Sequence, residues 1–176
     1  DSDDAVYLLE DLDSEELEEI LAQMPSIERL ALKRSLDYPE DSAGRRMQTE
    51  CIAVPDEWSA LQVIEYLRDT PELPDRFYEI YVVDRERRLK GAVPLDALLR
   101  ARRPGPIMDL IDEDRRRVSD HEDIADVARM FGKYNLVAAP VTDADNHLLG
   151  VITIDDVVDV IEEGADEEIK ALGGVA

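Results

Sequence analysis

The chain contains an internal repeat, and this repeat constrains the fold more than any other feature of the sequence. Four residues recur at one constant offset: Asp84, Leu89, Gly91 and Asp96 of the first copy correspond to Asp143, Leu148, Gly150 and Asp155 of the second. In each copy an apolar strand ends at the first aspartate, a polar turn leads to a second strand, and a helix begins at the second aspartate. Because neither copy can bury both faces of its sheet alone, we expect the two copies to pack as a pseudo-twofold pair.

Each copy is predicted to be a βαββα unit. In the first copy the predicted elements are an apolar run ending at Val54, a helix over 58–67, strands over 80–84 and 89–93, and a helix from Leu95. In the second copy they are a strand at Val118, a helix over 124–131, strands over 139–143 and 149–154, and a helix from Asp155. The repeat pair therefore predicts an α+β fold.

The residues before the repeats predict a small all-α fragment. Residues 1–36 have helical apolar spacing and are expected to form two short helices joined at Pro25. Asp13 is an N-cap signal for the first helix, and Ser26 is positioned to cap the second. Residues 38–45 are expected to be a linker, in which Gly44 marks a turn or a helix C-cap.

The charge balance excludes several classes of protein. Twenty Lys and Arg against 43 Asp and Glu give a net charge of -23, which repels phosphate backbones and argues against nucleic acid as a partner.

The single cysteine, Cys51, lies in an apolar run and is predicted to be a small core residue. No phosphate loop, activated nucleophile or zinc spacing occurs, so we expect no enzymatic activity. No apolar run is long enough to span a bilayer.

The last predicted helix carries an unusual concentration of carboxylates. Asp155, Asp159 and Glu162 or Glu163 lie three or four residues apart, so they share one face, and Glu167 and Glu168 follow. Like charges at this spacing destabilise an isolated helix, so the face needs either full solvation or a counter-cation. From the residues alone both interpretations stay open: a solvated acidic face, or a cluster for hard divalent cations.

These motifs resemble known families. The repeat resembles a tandem CBS-domain pair. Each copy contains a hydrophobic-Val-Asp segment, a turn, a Leu-x-Gly motif, a strand and a helix that begins with Asp. The segment 38–45 followed by Met47, together with the acidic tail, resembles the MgtE family of magnesium transporters. The resemblance implies four parts: C-terminal helices of a superhelical N-terminal domain and linker (1–46), a first CBS repeat (47–104), a second CBS repeat (105–163), and the start of a connecting plug helix (164–176).

The resemblance to MgtE implies a regulatory function. In that family the cytosolic region is a homodimer that senses intracellular Mg²⁺, and bound ions hold the transmembrane pore closed. The implied location is the cytoplasmic side of the membrane, with the pore domain following Ala176. The implied Mg²⁺ ligands are Asp156, Asp159, Glu167 and Glu168, with Asp155 beside them, Asn135 at a position that is usually acidic, and Asp126 as a compensating carboxylate on the preceding helix. Asp1, Asp3 and Asp4 are candidates for the N-terminal side of the site.

Two alternative functions follow from the CBS resemblance. CBS pairs often bind adenosine nucleotides such as ATP, and Gly150, Thr153 and Asp156 of the second copy match the usual signature. The first copy has Pro94 and Ala97 at the corresponding places, so one nucleotide site at most is expected. A purely structural dimerisation module with solvated carboxylates is the third hypothesis.

Overall fold

The computed structural model of the protein describes residues 1–102, 104–114 and 116–174, with the backbone alone at Glu168. The helices are α1 (Ser2–Leu9), α2 (Ser14–Ala22), α3 (Ser26–Leu36), α4 (Ala43–Arg46), α5 (Ala60–Asp69), α6 (Leu95–Arg100), α7 (Ile124–Tyr134) and α8 (Ile154–Gly173). The strands are β1 (Ala53–Pro55), β2 (Glu79–Val83), β3 (Leu89–Pro94), β4 (Val118–Ser119), β5 (Ala138–Thr142) and β6 (Leu148–Thr153). This order confirms the predicted α+β class and the two βαββα repeats after a helical fragment.

The two repeats form two sheets with the same topology. Their strand orders are β1-β2-β3 and β4-β5-β6, with the first pair of each sheet parallel and the second antiparallel. The antiparallel register shifts between Val82 and Val83 in one sheet and between Val141 and Thr142 in the other. The same irregularity at equivalent positions shows that the repeat extends to the details of the backbone.

The tips of the two hairpins are joined to each other. The amide of Leu89 donates to the carbonyl of Asn146 at 2.9 Å, and the amide of Leu148 donates to the carbonyl of Arg87 at 3.1 Å. Arg87 and Asn146 occupy equivalent positions and both have left-handed backbones, with φ of 64° and 67°. These reciprocal bonds give the pair its pseudo-twofold relation.

Alternation along the strands divides the core into layers. In β2, Tyr81 and Val83 face a cluster shared between the two sheets, whereas Ile80 and Val82 face the helices of their own repeat. Cys51 packs against the shared cluster, as the sequence predicts for a small core residue. Burial raises the pKa of its thiol to about 11, so the thiol stays protonated and unreactive near neutral pH.

The glycine of the Leu-x-Gly motif permits a close approach between segments. A Cβ on Gly150 would overlap the carbonyl oxygen of Gln48, whose backbone exchanges two 2.8 Å hydrogen bonds with Val151. A Cβ on Gly91 would likewise overlap the side chain of Ile111. Gly150 therefore allows close packing of the segment before the first repeat, and Gly91 allows close packing of the segment after it.

Replacing Gly150 by alanine should lower the free energy of unfolding by about 1–3 kcal/mol, because the Gln48 backbone must move. Gly164→Ala is the matched control: nothing lies within 4 Å of its Cβ position in helix α8, so this change should raise stability by about 0.5–1 kcal/mol. Urea unfolding measures both. Equal stability of the two variants would show that the close approach does not persist in solution.

The helical fragment differs from the prediction in two respects. It contains three helices, α1 to α3, around a small core of Val6, Leu9, Leu21 and Leu32. Asp13 caps α2 as predicted, but Ser26 does not cap α3, because it is the first helical residue and Pro25 occupies the N-cap position. The short α1 was missed because eight residues carry too few apolar positions to define a separate period.

The predicted linker is a structured junction. Ser42 caps α4, and Gly44 lies inside this helix, buried, with a Cβ position only 2.6 Å from the Tyr38 ring. The interpretation of Gly44 as a turn or C-cap was therefore wrong: the glycine is needed for helix–ring contact. The Tyr38 hydroxyl donates to Asp120 at 3.0 Å, which attaches the junction to the second repeat.

Helix α8 continues through the predicted boundary between the second repeat and the connecting segment. It is one α-helix from Ile154 to Gly173, so residues 155–163 and most of 164–176 share one axis. Val157 is buried against the second repeat, whereas Val158, Ile161, Ile169 and Leu172 are exposed. Residues 175–176 of the predicted segment lie outside the described residues.

Candidate functional site

The first turn of α8 fixes the position of a buried carboxylate. Thr153 is the N-cap, and the carboxylate of Asp156 accepts hydrogen bonds from its amide at 3.0 Å and its hydroxyl at 3.2 Å. These bonds form a capping box, in which the residue three positions into the helix reaches back to the cap. Asp156 is thereby held at the helix N-terminus, on the side that faces α1.

A second carboxylate meets Asp156 from the opposite side of the interface. Asp3, on α1, lines the same spaces as Asp156 and is close enough to change its ionisation. Burial, and then the charge and hydrogen bond of Asp3, raise the pKa of Asp156 to about 7, against the lowering effect of the bonds from Thr153. Oδ1 of Asp3 is buried and has no hydrogen-bond partner among the described residues.

The Asp3–Asp156 contact lies in an acidic cleft between α1 and α8. We define the acidic cleft as the space of about 430 Å³ bounded by these helices and α4. The charged side chains that line it are Asp3, Asp4, Arg45, Arg46, Asp156, Asp159, Glu162, Glu163 and Asp166. Seven of these nine are acidic, so the cleft concentrates negative charge where two parts of the chain meet.

A neighbouring recess shares part of this wall. It has a volume of about 320 Å³, and Asp3, Asp4, Asp156 and Asp159 border both spaces. On the α1 side, one carboxylate oxygen each from Asp1, Asp3 and Asp4 lies within 4.8 Å of the other two. Carboxylates at such spacing, with room for retained water, are the ligand chemistry that Mg²⁺ prefers.

The structure brings some of the predicted ligands together and separates others. Asp156 and Asp159 line the acidic cleft, and Asp155 lines the adjoining recess. Glu167 is an exposed residue of α8 that lines neither space, and the side chain of Glu168 lies outside the described residues.

Asn135 and Asp126 do not meet each other or the cleft. They lie at opposite ends of α7, nine residues apart, which is roughly 14 Å along a helix axis. The structure therefore does not bring Asp126 to Asn135, and Asp126 is paired with Arg129. The local backbone explains why asparagine occupies position 135. Asn135 is the C-cap of α7 with φ of 51°, a left-handed conformation that asparagine tolerates.

Two charged residues that line the cleft, Asp166 and Arg46, and the partner of Arg46, Glu10, were missed by the sequence reasoning. Asp166 lies one turn beyond Glu162 and Glu163 on α8, where helical spacing could have indicated it. Arg46 lines the cleft from α4, and Glu10, after α1, is paired with it. No sequence signal connects these two with α8, because the contact depends on how the helices pack.

The predicted nucleotide residues Thr153 and Asp156 do not meet in the small space between the two repeats. A space of about 20 Å³ between the repeats is lined by Cys51, Tyr81 and Thr153 but not by Asp156. This volume is far below the several hundred Å³ of typical small-molecule pockets. Thr153 and Asp156 instead both line the 320 Å³ recess, which Tyr78 and Arg76 also border.

Among the described residues, no helix combines the length and apolar composition that crossing a bilayer requires.

Comparison with known proteins agrees with this architecture. Residues 43–104 and 107–163 match the family model for the CBS domain, and residues 1–41 match the MgtE intracellular N domain. The magnesium transporter MgtE of Thermus thermophilus is 36% identical over 138 residues, which are 78% of this chain and 31% of the relative. The chain thus spans about a third of the length of such relatives.

Two solved structures are similar to the whole arrangement. The crystal structure of the soluble part of a magnesium transporter has a TM-score of 0.88 and 34% identity, covering 93% of this chain and 64% of that one. The cytosolic domain of the Mg²⁺ channel MgtE in complex with ATP has a TM-score of 0.82 and 29% identity, covering 90% and 64%. The chain therefore belongs to the CBS-domain family, as a tandem CBS pair preceded by an MgtE N-domain segment, and is homologous to the MgtE magnesium transporters.

Proposed function

We propose that this chain is the non-catalytic, Mg²⁺-sensing regulatory region of an MgtE-type magnesium transporter. The observation that carries the proposal is the position of Asp3 and Asp156, carboxyl groups on α1 and α8 that line the same acidic cleft and the same recess. The relatives are magnesium transporters, which supports Mg²⁺ as the ion. Residues 1–46, 47–104, 105–163 and 164–176 keep the domain roles assigned to them from the sequence.

Electrostatics explains why a cation would control this interface. Two carboxylates about 4 Å apart repel each other by roughly 4 kcal/mol at an effective dielectric constant near 20. A divalent cation between them reverses the sign of the interaction. Mg²⁺ retains several waters and needs only one or two carboxylates, so the acidic cleft has enough room for a hydrated ion.

Binding in the cleft would act on the position of α8. An ion held by Asp3 from α1 and by Asp156 and Asp159 from α8 stabilises the compact arrangement over any state in which the helices separate. Helix α8 extends to Gly173, so a shift at its first turn also moves its C-terminal end. In this proposal that end acts on a pore domain, and the pore closes when Mg²⁺ is bound. The regulatory region would lie on the cytoplasmic side of the membrane.

A homodimer is part of the proposal. The outer face of α8 exposes a row of apolar side chains at helical spacing, Val158, Ile161, Ile169 and Leu172, with exposed fractions of 44%, 56%, 67% and 77%. An apolar row of this length beside so much charge is typical of a protein–protein contact. A second copy that covers it would place two acidic clefts under one pore.

A thermal melt in the presence of Mg²⁺ tests the sensor. The midpoint of wild type should rise saturably, by about 3–6 °C at a tenfold excess over the dissociation constant, since one site then contributes about 1.4 kcal/mol. Ionic strength is held constant with a monovalent salt. The Asp156→Asn/Asp159→Asn variant should lose the rise.

The matched control is Glu65→Gln/Asp69→Asn, which removes two exposed charges from α5. This variant should respond to Mg²⁺ as wild type does. If all three proteins follow ionic strength alone, the carboxylates are merely solvated and the sensor proposal fails, leaving a structural dimerisation module.

The second candidate function is binding of an adenosine nucleotide. It is favoured by the recess of about 320 Å³, where Thr153 and Asp156 could hold a ribose and where Tyr78 and Arg76 offer a stacking surface and a cation. A similar solved structure contains ATP. A saturable rise of the melting midpoint with ATP in the presence of a chelator, but not with Mg²⁺ alone, would favour this function over cation sensing.

A further inference from the structure

One end of the acidic cleft already holds a cation that belongs to the chain. The guanidinium of Arg46 lies between two carboxylates from different parts of the structure. Its Nη1 is 3.7 Å from Oε1 of Glu10, which follows α1, and its Nη2 is 3.9 Å from Oε2 of Glu163 on α8. Arg46 thus connects the helical fragment with α8, as an ion bound near Asp3 and Asp156 would.

Arg46 acts on its neighbours through its charge, and its side chain forms no short hydrogen bonds among the described residues. Its side chain is 22% exposed, and its Nε is buried without a partner among the described residues. The adjacent Arg45 differs: its Nη1 donates at 2.8 Å to the carbonyls of both Leu36 and Tyr38. At separations of 3.7 and 3.9 Å, the contacts of Arg46 to Glu10 and Glu163 are electrostatic.

We propose that Arg46 is a permanent counter-cation that fills one end of the acidic cleft, confines divalent ions to the Asp3–Asp156 end, and raises the Mg²⁺ concentration at which the cleft fills. This inference rests on the proposed cation-sensing function and adds the residue that sets its threshold. A guanidinium does not lose its proton in proteins, so this cation is present at every Mg²⁺ concentration.

Two consequences follow from one fixed positive charge. It neutralises part of the repulsion between Glu10 and Glu163, so the metal-free interface keeps some cohesion. It also repels an incoming divalent ion across the same cleft, which weakens binding at the other end. Removing the charge should therefore destabilise the metal-free protein and tighten Mg²⁺ binding together, whereas loss of an ordinary surface charge does neither.

The test compares Mg²⁺ titrations of wild type, Arg46→Gln, Arg46→Lys and Arg85→Gln, followed by melting midpoint at constant ionic strength. Arg46→Gln should have a lower midpoint without metal and a half-saturating Mg²⁺ concentration about three- to tenfold lower than wild type. Arg46→Lys keeps the charge and should stay within twofold. Arg85→Gln removes the same charge from an exposed pair with Glu57 in another part of the fold and should also stay within twofold.

Each outcome decides the inference. It is overturned if Arg46→Gln titrates as Arg85→Gln does, or if Arg46→Lys changes as much as Arg46→Gln, since shape and not charge would then be responsible. If wild type shows no saturable response, the proposed function fails by itself. In that case a response gained by Arg46→Gln would still support Arg46 as a substitute for the ion, and no response in either protein would overturn both proposals.

Discussion

In the absence of divalent cations, the protein should lose stability as the pH rises from about 4 through about 7, and Asp156→Asn should remove much of this loss. The pKa of Asp156 is raised from 3.8 to about 7, so the folded protein holds a proton that the unfolded chain releases. The stabilisation is fully present below about pH 4 and disappears as the pH rises through about 7. The effect is on the order of 4 kcal/mol.

Urea unfolding in a chelator at several pH values measures this effect. Asp156→Asn keeps the shape of the side chain and stays neutral, so its free energy of unfolding should depend less on pH than that of wild type. The overall charge of -23 also destabilises the fold at high pH, so the difference between the two proteins is the quantity to compare. Glu65→Gln, exposed on α5, should keep the dependence of wild type. Parallel curves for wild type and Asp156→Asn would show that the folded protein does not hold a proton on Asp156.

Arg45→Met should lower the free energy of unfolding by about 3–5 kcal/mol, the usual cost of breaking a buried ion pair by removing one partner. The Arg45 side chain is only 8% exposed, and its Nε lies 3.3 Å from Oε2 of Glu10. Its removal also leaves the carbonyls of Leu36 and Tyr38 without their donor. These contacts attach α1 and α3 to the junction, so the helical fragment should detach first.

Hydrogen exchange over α1 to α3, followed together with urea unfolding, distinguishes local detachment from global loss. Arg34→Met is the control, since Arg34 is exposed in the last turn of α3 and should tolerate the change within about 0.5 kcal/mol. If the amides of α1 to α3 exchange equally slowly in Arg45→Met and wild type, the attachment does not depend on this guanidinium.

The repeat architecture was predictable because its signals are local and occur twice. Continuous apolar runs define β2 and β5, and the Leu-x-Gly motif at Gly91 and Gly150 marks the second strand of each hairpin. Equivalent residues in two copies remove the ambiguity that short apolar runs otherwise have. The helical fragment lacks such duplication, which is why the boundary between its first two helices and the helical state of Gly44 were missed.

What the sequence by itself determined is the fold class, the order of strands and helices along each repeat, and the acidic helix that includes Asp156 and Asp159. Only the tertiary structure decided which charges meet. Asp3 reaches Asp156 from the other end of the chain, and Arg46 reaches Glu163, because the packing of α1 and α4 on the second repeat brings them there. Side-chain spacing along one helix is fixed by its period, whereas contacts between distant helices depend on how their apolar faces are buried.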